Sequence, residues 1–394
     1  MLKMATTRRT IWKIRDAACF LSARNPTKFC QRFKTSFKEK IKNLQSLGLY
    51  TASDPIDQNE NDVSKVYRIS VKDMKTIFTH GFPTRRTNRQ VDFTDYHMLI
   101  RKPILEVLQN VKNLKDGDTP PRFVFYGDDG TGKSIGLCHL IHMCAHMKWL
   151  ILHLPSVYSF TQSKSETEPS SWKNGRIDQP ADSSIWLKAF KTVNQSFLET
   201  ITTSKEYKWG RLEAIPAGTP IGRVVEQGMG RTNFATDAVG IVLKEVQQAK
   251  DVKVLYAVDE FNGLFSTSSI RNKDNEFINP QDLSFIRHFT RLLEPGSSLV
   301  SGCYAVALSR TSNFKHYVHS LEVEDQLGKM GMSLLGKHIP VQVENFTEEE
   351  LYNYLCLLKQ NFLFNKEITG ELQAEIRFLT DGNPTEVVRL VKGH

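Results

Sequence analysis

The chain has 394 residues, of which 40% are apolar and 24% charged, with 23 Gly and 15 Pro. That is room for two or three cores at about 150 residues each, and it is not the usage of a collagenous, fibrous or wholly disordered chain. The formal net charge is +9, yet residues 1 to 50 hold 12 Lys or Arg against Asp16 and Glu39, which leaves 40 basic and 41 acidic residues from Thr51 onward. With so balanced a body the whole-chain pI says little about a nucleic-acid face on it. No apolar run approaches the roughly 18 residues of a spanning helix, and a soluble chain with no membrane partner is expected.

On a helical wheel Ile11, Ile14, Ala18 and Leu21 share one sector, while Arg8, Arg9, Lys13, Arg15 and Arg24 spread over the other side. A basic, acid-poor, amphipathic leader has the composition of a mitochondrial transit peptide. Lys13, Arg15 and Asp16 interrupt any secretory apolar region. Residues 1–50 are therefore read as a transit peptide with a basic extension, the alternative being a solvated arm that binds RNA. Six cysteines without a C-x-x-C pair fit a reducing compartment. Residues 51–115 form the next unit: a polar linker (TASDPIDQNEND), a strand at Val66 to Val71, a loop carrying Pro83, Arg85, Arg86 and Arg89, and a helix over Tyr96 to Val111. The three loop arginines are candidates for RNA phosphate contacts.

Residues 116–345 alternate apolar runs with helical stretches. The runs at Arg122 to Tyr126, Leu150 to Leu154, Val252 to Val258, Tyr304 to Leu308 and Ile339 to Val343 predict a parallel five-stranded sheet with flanking helices, an α/β fold. Between the second and third runs, SFTQSKSETEPSSW and IPAGTPIGRVVEQGMGRTN read as insertions that meet a partner or stay flexible at the surface. Residues 346–394 predict a small C-terminal helical lid.

The chemistry is carried by Arg122 to Ser134, RFVFYGDDGTGKS, which is a G-x-x-x-x-G-K-S phosphate loop between a strand and a helix. Such a loop turns backbone N–H groups inward around a polyphosphate while the following helix aims its positive end at the same anion. The nucleotide-binding candidates are Gly127, Asp128, Asp129, Gly130, Thr131, Gly132, Lys133 and Ser134, with Lys133 on the β and γ phosphates and Ser134 on Mg²⁺. A second motif, VKVLYAVDE, ends an apolar strand in two acids: Asp259 for the Mg²⁺ and Glu260 as candidate catalytic base for a water.

A further strand, Leu150 to Leu154, lies between the motifs, which favours the additional-strand class of P-loop NTPase, similar to AAA+ proteins. There Ser309, at the end of CYAVALSRTS, and Arg389, in DGNPTEVVR, are candidates for the two γ-phosphate sensors. No N-K-x-D guanine-reading motif occurs. His139, His142 and His146 share one face of the helix after the loop, but no Glu completes an H-E-x-x-H pattern, so they read as helix packing or a partner contact rather than zinc ligands.

Together FVFYGDDGTGKS, VLYAVDEFNGL, SGCYAVALSRTS, QLGKMGMSLLGK, IPVQVENFTEEEL and FLTDGNPTEVVR resemble the death-associated protein 3 family, P-loop proteins of the mitochondrial small ribosomal subunit. The resemblance spans roughly residues 60 to 394. It implies a structural protein of the subunit head in the mitochondrial matrix, holding GTP or GDP with Mg²⁺, contacting ribosomal RNA and neighbouring proteins, and not forming a homo-oligomer. It also implies at most a slow GTPase with a structural nucleotide, and a link to apoptosis. The rival expectations are a freestanding matrix AAA-like ATPase and a nucleotide-switched apoptotic adaptor.

Overall fold

A computed structural model describes residues 42–83, 96–162, 165–170, 173–209, 214–272, 274–312, 319–361 and 366–393. The amphipathic leader and Arg85, Arg86 and Arg89 lie outside the described residues. The chain divides into two compact units, Met1–Thr51 and Ala52–His394; the sheets, their helices and the C-terminal lid all belong to the second.

Val66–Ile69 (β1) and Tyr96–Leu99 (β2) pair antiparallel, with Val66 opposite Leu99 and Ile69 opposite Tyr96. This corrects two expectations. The first strand stops before Val71 because Ser70 caps a short helix, α1 (Val71–Thr76), its Oγ accepting the Asp73 amide at 3.0 Å. The predicted helix from Tyr96 starts later, as α2 (Lys102–Lys112), because Pro103 has no N–H to bond into a preceding turn and so sits in a first turn rather than an interior. The four residues before it are free to pair as a strand.

The central sheet consists of β3 (Arg122–Tyr126), β4 (Leu150–Leu154), β5 (Val254–Asp259), β6 (Gly302–Ala307) and β7 (Ile339–Gln342), all parallel, in the order β7-β3-β6-β5-β4. Every residue of β5 and β6 is buried, as continuous apolar runs covered on both faces require. Their side chains alternate. Val124, Leu152, Tyr256, Val258 and Val306 belong to one core, whereas Phe123, Phe125, Ile151, Leu255 and Ala305 belong to the other. The second core is closed by α2 and by α3 (Lys133–His146), through Ile104, Leu108, Leu140 and Ile141.

The first core corrects the reading of residues 155–235 as partner-facing or flexible insertions. After the one-turn helix α4 (Val157–Thr161), this stretch supplies α5 (Pro180–Val193), α6 (Ile221–Gly230) and the start of α7 (Ala235–Gln248), which pack with α8 (Ser284–Arg291) on the sheet. Trp186 is fully buried, stacks on Phe190, meets Phe285 and Phe289 edge-on, and donates its indole N–H to the His153 carbonyl at 2.9 Å. Its truncation to Ala would cost about 3–5 kcal/mol. The Gly, Pro and Ser punctuation of the stretch is real, but between those breaks lie apolar residues at helical spacing.

After α9 (Val323–Leu335) and β7 the chain ends in three helices: α10 (Glu348–Gln360), α11 (Gly370–Thr380) and α12 (Pro384–Gly393). They share a small core of Phe346, Leu351, Leu355, Ile376, Val387 and Val391. Thr347 opens α10 with a capping box, its Oγ accepting the Glu350 amide while Glu350 Oε2 accepts the Thr347 amide at 3.0 Å. Among the described residues no helix is long and apolar enough to cross a membrane.

Candidate nucleotide site

The loop from Gly127 to Ser134 leaves β3 and enters α3 with its N-cap, Gly132, left-handed (φ 103°) and no side-chain cap on the helix. Uncapped first-turn amides at a helix N-terminus form an anion site. The glycines are sterically required. A Cβ on Gly127 would lie 2.5 Å from the Val343 carbonyl oxygen, and one on Gly130 would lie 2.6 Å from Asn383 Oδ1, both at positive φ. Lys133 is buried, its Nζ donating to the Gly127 carbonyl at 2.9 Å and to the Asp128 carbonyl. These are the groups a phosphate would be exchanged against, so the loop and Lys133 fit a bound polyphosphate, and Ser134 is the second residue of α3. Asp128 and Asp129 face Arg310, which is ion-paired to Asp128 and 3.9 Å from Asp129 Oδ2.

The acid-tipped strand β5 brings Asp259 and Glu260 to the same end of the sheet as the loop. Asp259 is buried and accepts the Glu260 amide at 2.9 Å. Burial, and next the Asp259 charge, pushes the Cys138 thiol on α3 well above its ordinary value. Glu260 is 4% exposed and left-handed (φ 59°), a strain of order 1–3 kcal/mol for a non-glycine residue and typical of a working position. Its Oε2 accepts from Ser156 Oγ at 2.6 Å and from the Tyr158 amide at 2.9 Å, so the N-cap and first turn of α4 hold the carboxylate. Asn262 and Ser309 exchange two bonds, Nδ2 to the Ser309 carbonyl at 2.9 Å and the Ser309 amide to Oδ1 at 3.0 Å, which joins the ends of β5 and β6. The Ser309 hydroxyl lies 3.2 Å from Thr311 Oγ1.

The lid reaches the loop through residues the motifs do not name. Asn383 Nδ2 donates to the Asp129 carbonyl at 2.8 Å and Thr385 Oγ1 to the Gly130 carbonyl at 3.2 Å. Arg389, the expected sensor, is instead exposed and bonded to Glu386 of its own helix at 2.7 and 2.8 Å. Arg101, at the junction of β2 and α2, is buried and forks onto Glu350 with two 3.0 Å bonds. It also donates to the Thr131 carbonyl at 2.8 Å and to the Glu344 and Asn345 carbonyls at 3.0 and 3.2 Å, and lies over the Phe346 ring. Sequence reasoning missed it. The one available signal was the capping box, since Glu350 serves the cap and the arginine together.

A phosphate loop on β3, an acid-tipped β5 and a strand inserted between them in the sheet define a P-loop NTPase fold of the additional-strand, AAA+-like class, but the inserted strand is β6, whereas Leu150–Leu154 (β4), expected there from its place in the sequence, pairs with the far side of β5 at the sheet edge. Residues 98–390 match the model of the family described as mitochondrial ribosomal death-associated protein 3. The small ribosomal subunit proteins mS29 of Bos taurus and Mus musculus are 35% and 34% identical over 343 residues, 86% of this chain and 86% and 87% of theirs. A Walker-type ATPase of Pyrococcus abyssi and AMPPCP-bound DnaA from Aquifex aeolicus align over 74% of the chain, and over 65% and 61% of theirs. Their identities are 11% and 12% and their TM-scores 0.38 and 0.34, a loose likeness, and the fold class rests on the strand order. The chain belongs to the mitochondrial ribosomal death-associated protein 3 family. Membership places it in the mitochondrial matrix as a ribosomal protein.

Proposed function

We propose that the chain is a structural component of the mitochondrial small ribosomal subunit, in its head, and that its P-loop domain holds GTP or GDP with Mg²⁺ as a built-in cofactor. Gly127 to Ser134 would surround the phosphates, with Lys133 on the β and γ groups and Ser134 and Asp259 toward the metal. Bound Mg²⁺ would neutralise phosphate charge. The observation that carries the cofactor reading is the anchoring of the loop from outside: Arg101, Asn383 and Thr385 bond its carbonyls while Glu260 is held by Ser156 and Tyr158. A nucleotide bound by the folded state alone stabilises that state in proportion to the logarithm of its concentration over Kd. Ribosomal RNA and neighbouring ribosomal proteins are the partners, and the naming of the mS29 relatives supports that assembly.

The test is a density gradient of solubilised mitochondria, with the nucleotide released from the fractions that contain the chain identified. The expected result is co-sedimentation with small-subunit RNA and release of guanine nucleotide. A ring-sized peak carrying adenine nucleotide would favour the freestanding ATPase, and a light pool with different partners for the two nucleotide states would favour the adaptor. Lys133→Ala is expected to remove nucleotide, and stoichiometric nucleotide in that variant would sink the loop assignment.

A further inference from the structure

The histidine face of the P-loop helix is completed by an acid from outside that helix. His142 and His146 lie one turn apart on α3, the i, i+4 spacing at which two imidazoles reach one ion. Asp73 of α1 comes to meet them: His142 Nε2 and His146 Nε2 each lie 3.6 Å from Asp73 Oδ2, and one ligand atom from each residue falls within 4.8 Å of the other two. Ligand atoms about 2.1 Å from a tetrahedral zinc ion stand about 3.4 Å apart, so the two 3.6 Å separations are nearly those of a loaded site and the two imidazoles have only to close from within 4.8 Å.

Two further observations point to a ligand. His142 is 2% exposed, and its buried Nε2 has no hydrogen-bond partner within 3.5 Å, the Asp73 carboxylate standing at 3.6 Å. So long a contact between a buried imidazole and a carboxylate leaves both groups under-satisfied, and an ion between them would serve both. The opposite nitrogens are both engaged by oxygen. His142 Nδ1 is 3.1 Å from the Tyr67 hydroxyl, and His146 Nδ1 is 2.7 Å from Asp54 Oδ2. Metal-bound histidines carry such partners on the far nitrogen, which fixes the ring and leaves the near lone pair for the metal.

We propose that Asp73, His142 and His146 bind a zinc ion, with water as the fourth ligand, and that the ion ties α1 to the C-terminal end of the P-loop helix. Two imidazoles and a carboxylate suit zinc and are a poor set for Mg²⁺ or Ca²⁺, which prefer all-oxygen shells. Asp73 and His146 are partly exposed, which gives the ion an entry path and the water a place. The site is remote from the phosphates and independent of the nucleotide reading.

The full-length chain, stripped with EDTA and returned to excess Mg²⁺, would be titrated with Zn²⁺ against a chromophoric chelator, and in parallel with Co²⁺. One equivalent of zinc is expected, with visible Co²⁺ absorption of the four-coordinate type and a zinc-dependent rise in thermal midpoint. His146→Gln and Asp73→Asn, both at partly exposed positions, should fold by circular dichroism, lower zinc affinity at least about 100-fold and abolish the rise. Asp54→Asn should lower affinity roughly 10- to 100-fold. Absence of stoichiometric zinc, or equal affinity in the wild type and both ligand variants, would overturn the assignment.

Discussion

Replacing Arg101 by alanine tests whether one side chain holds the phosphate loop against the lid. The Arg101–Glu350 pair is buried and doubly bonded, and removing one partner of such a pair costs about 3–5 kcal/mol because the other charge is left desolvated. The carbonyls of Thr131, Glu344 and Asn345 lose a charged donor at the same time. In urea, R101A should lower the unfolding midpoint with an unchanged slope. R101K keeps the charge but cannot reproduce the planar fork, so it should lose about half as much. A double-mutant cycle with E350A should return a coupling of about 2–3 kcal/mol, and nucleotide affinity should fall with R101A because Thr131 is released. Stability of R101A within about 1 kcal/mol of the wild type, or a coupling below about 0.5 kcal/mol, would refute the clamp.

Gly130→Ala puts a Cβ against Asn383 and Thr385 at a left-handed backbone, so a loss above about 1 kcal/mol and weaker nucleotide binding are expected; wild-type stability would show that the lid does not press on the loop. Glu260→Gln keeps an oxygen for Ser156 and Tyr158, so fold and nucleotide affinity should hold within about 1 kcal/mol while any turnover disappears, as a single-turnover assay would reveal. Burial first, and the neighbouring His80 charge second, holds His153 down to about 3; burial first, and the Arg291 and Arg176 charges next, does the same for His288. The unfolded chain takes up these protons below about pH 6.5 and the folded chain does not, so stability is full above that value and falls as pH drops toward 3, by up to about 1.4 kcal/mol per pH unit for each histidine. Urea unfolding between about pH 7 and pH 5 measures the slope, and a flat profile would contradict the buried neutral state.

What was legible in the sequence was local. The five strands are short and apolar, so composition alone marks them even at the edge strand β7, where Ile339, Pro340 and Gln342 are exposed, and the loop and the Asp259-Glu260 tip announce themselves by spacing. The β2 strand was hidden because Tyr96 to Leu99 runs into a helix whose apolar period extends over it, and Pro103 is the sole punctuation between them. Arg101, Asn383 and Thr385 could not be found that way, since their roles exist through contacts with segments far along the chain. Asp73 was invisible to a search for metal ligands on the histidine helix for the same reason: α1 brings it there, not the spacing.

The phosphate loop is finished from the far end of the chain. Glu350 lies 249 residues beyond Arg101, Asn383 lies 254 beyond Asp129 and Thr385 lies 255 beyond Gly130. Contacts of such separation carry a high loop-closure cost and are expected to form late in folding. A chain cut short before Asn383 would keep its P-loop sequence and lose both lid bonds to the loop, so loss of that terminus is expected to weaken the proposed nucleotide binding as directly as a change within the loop itself.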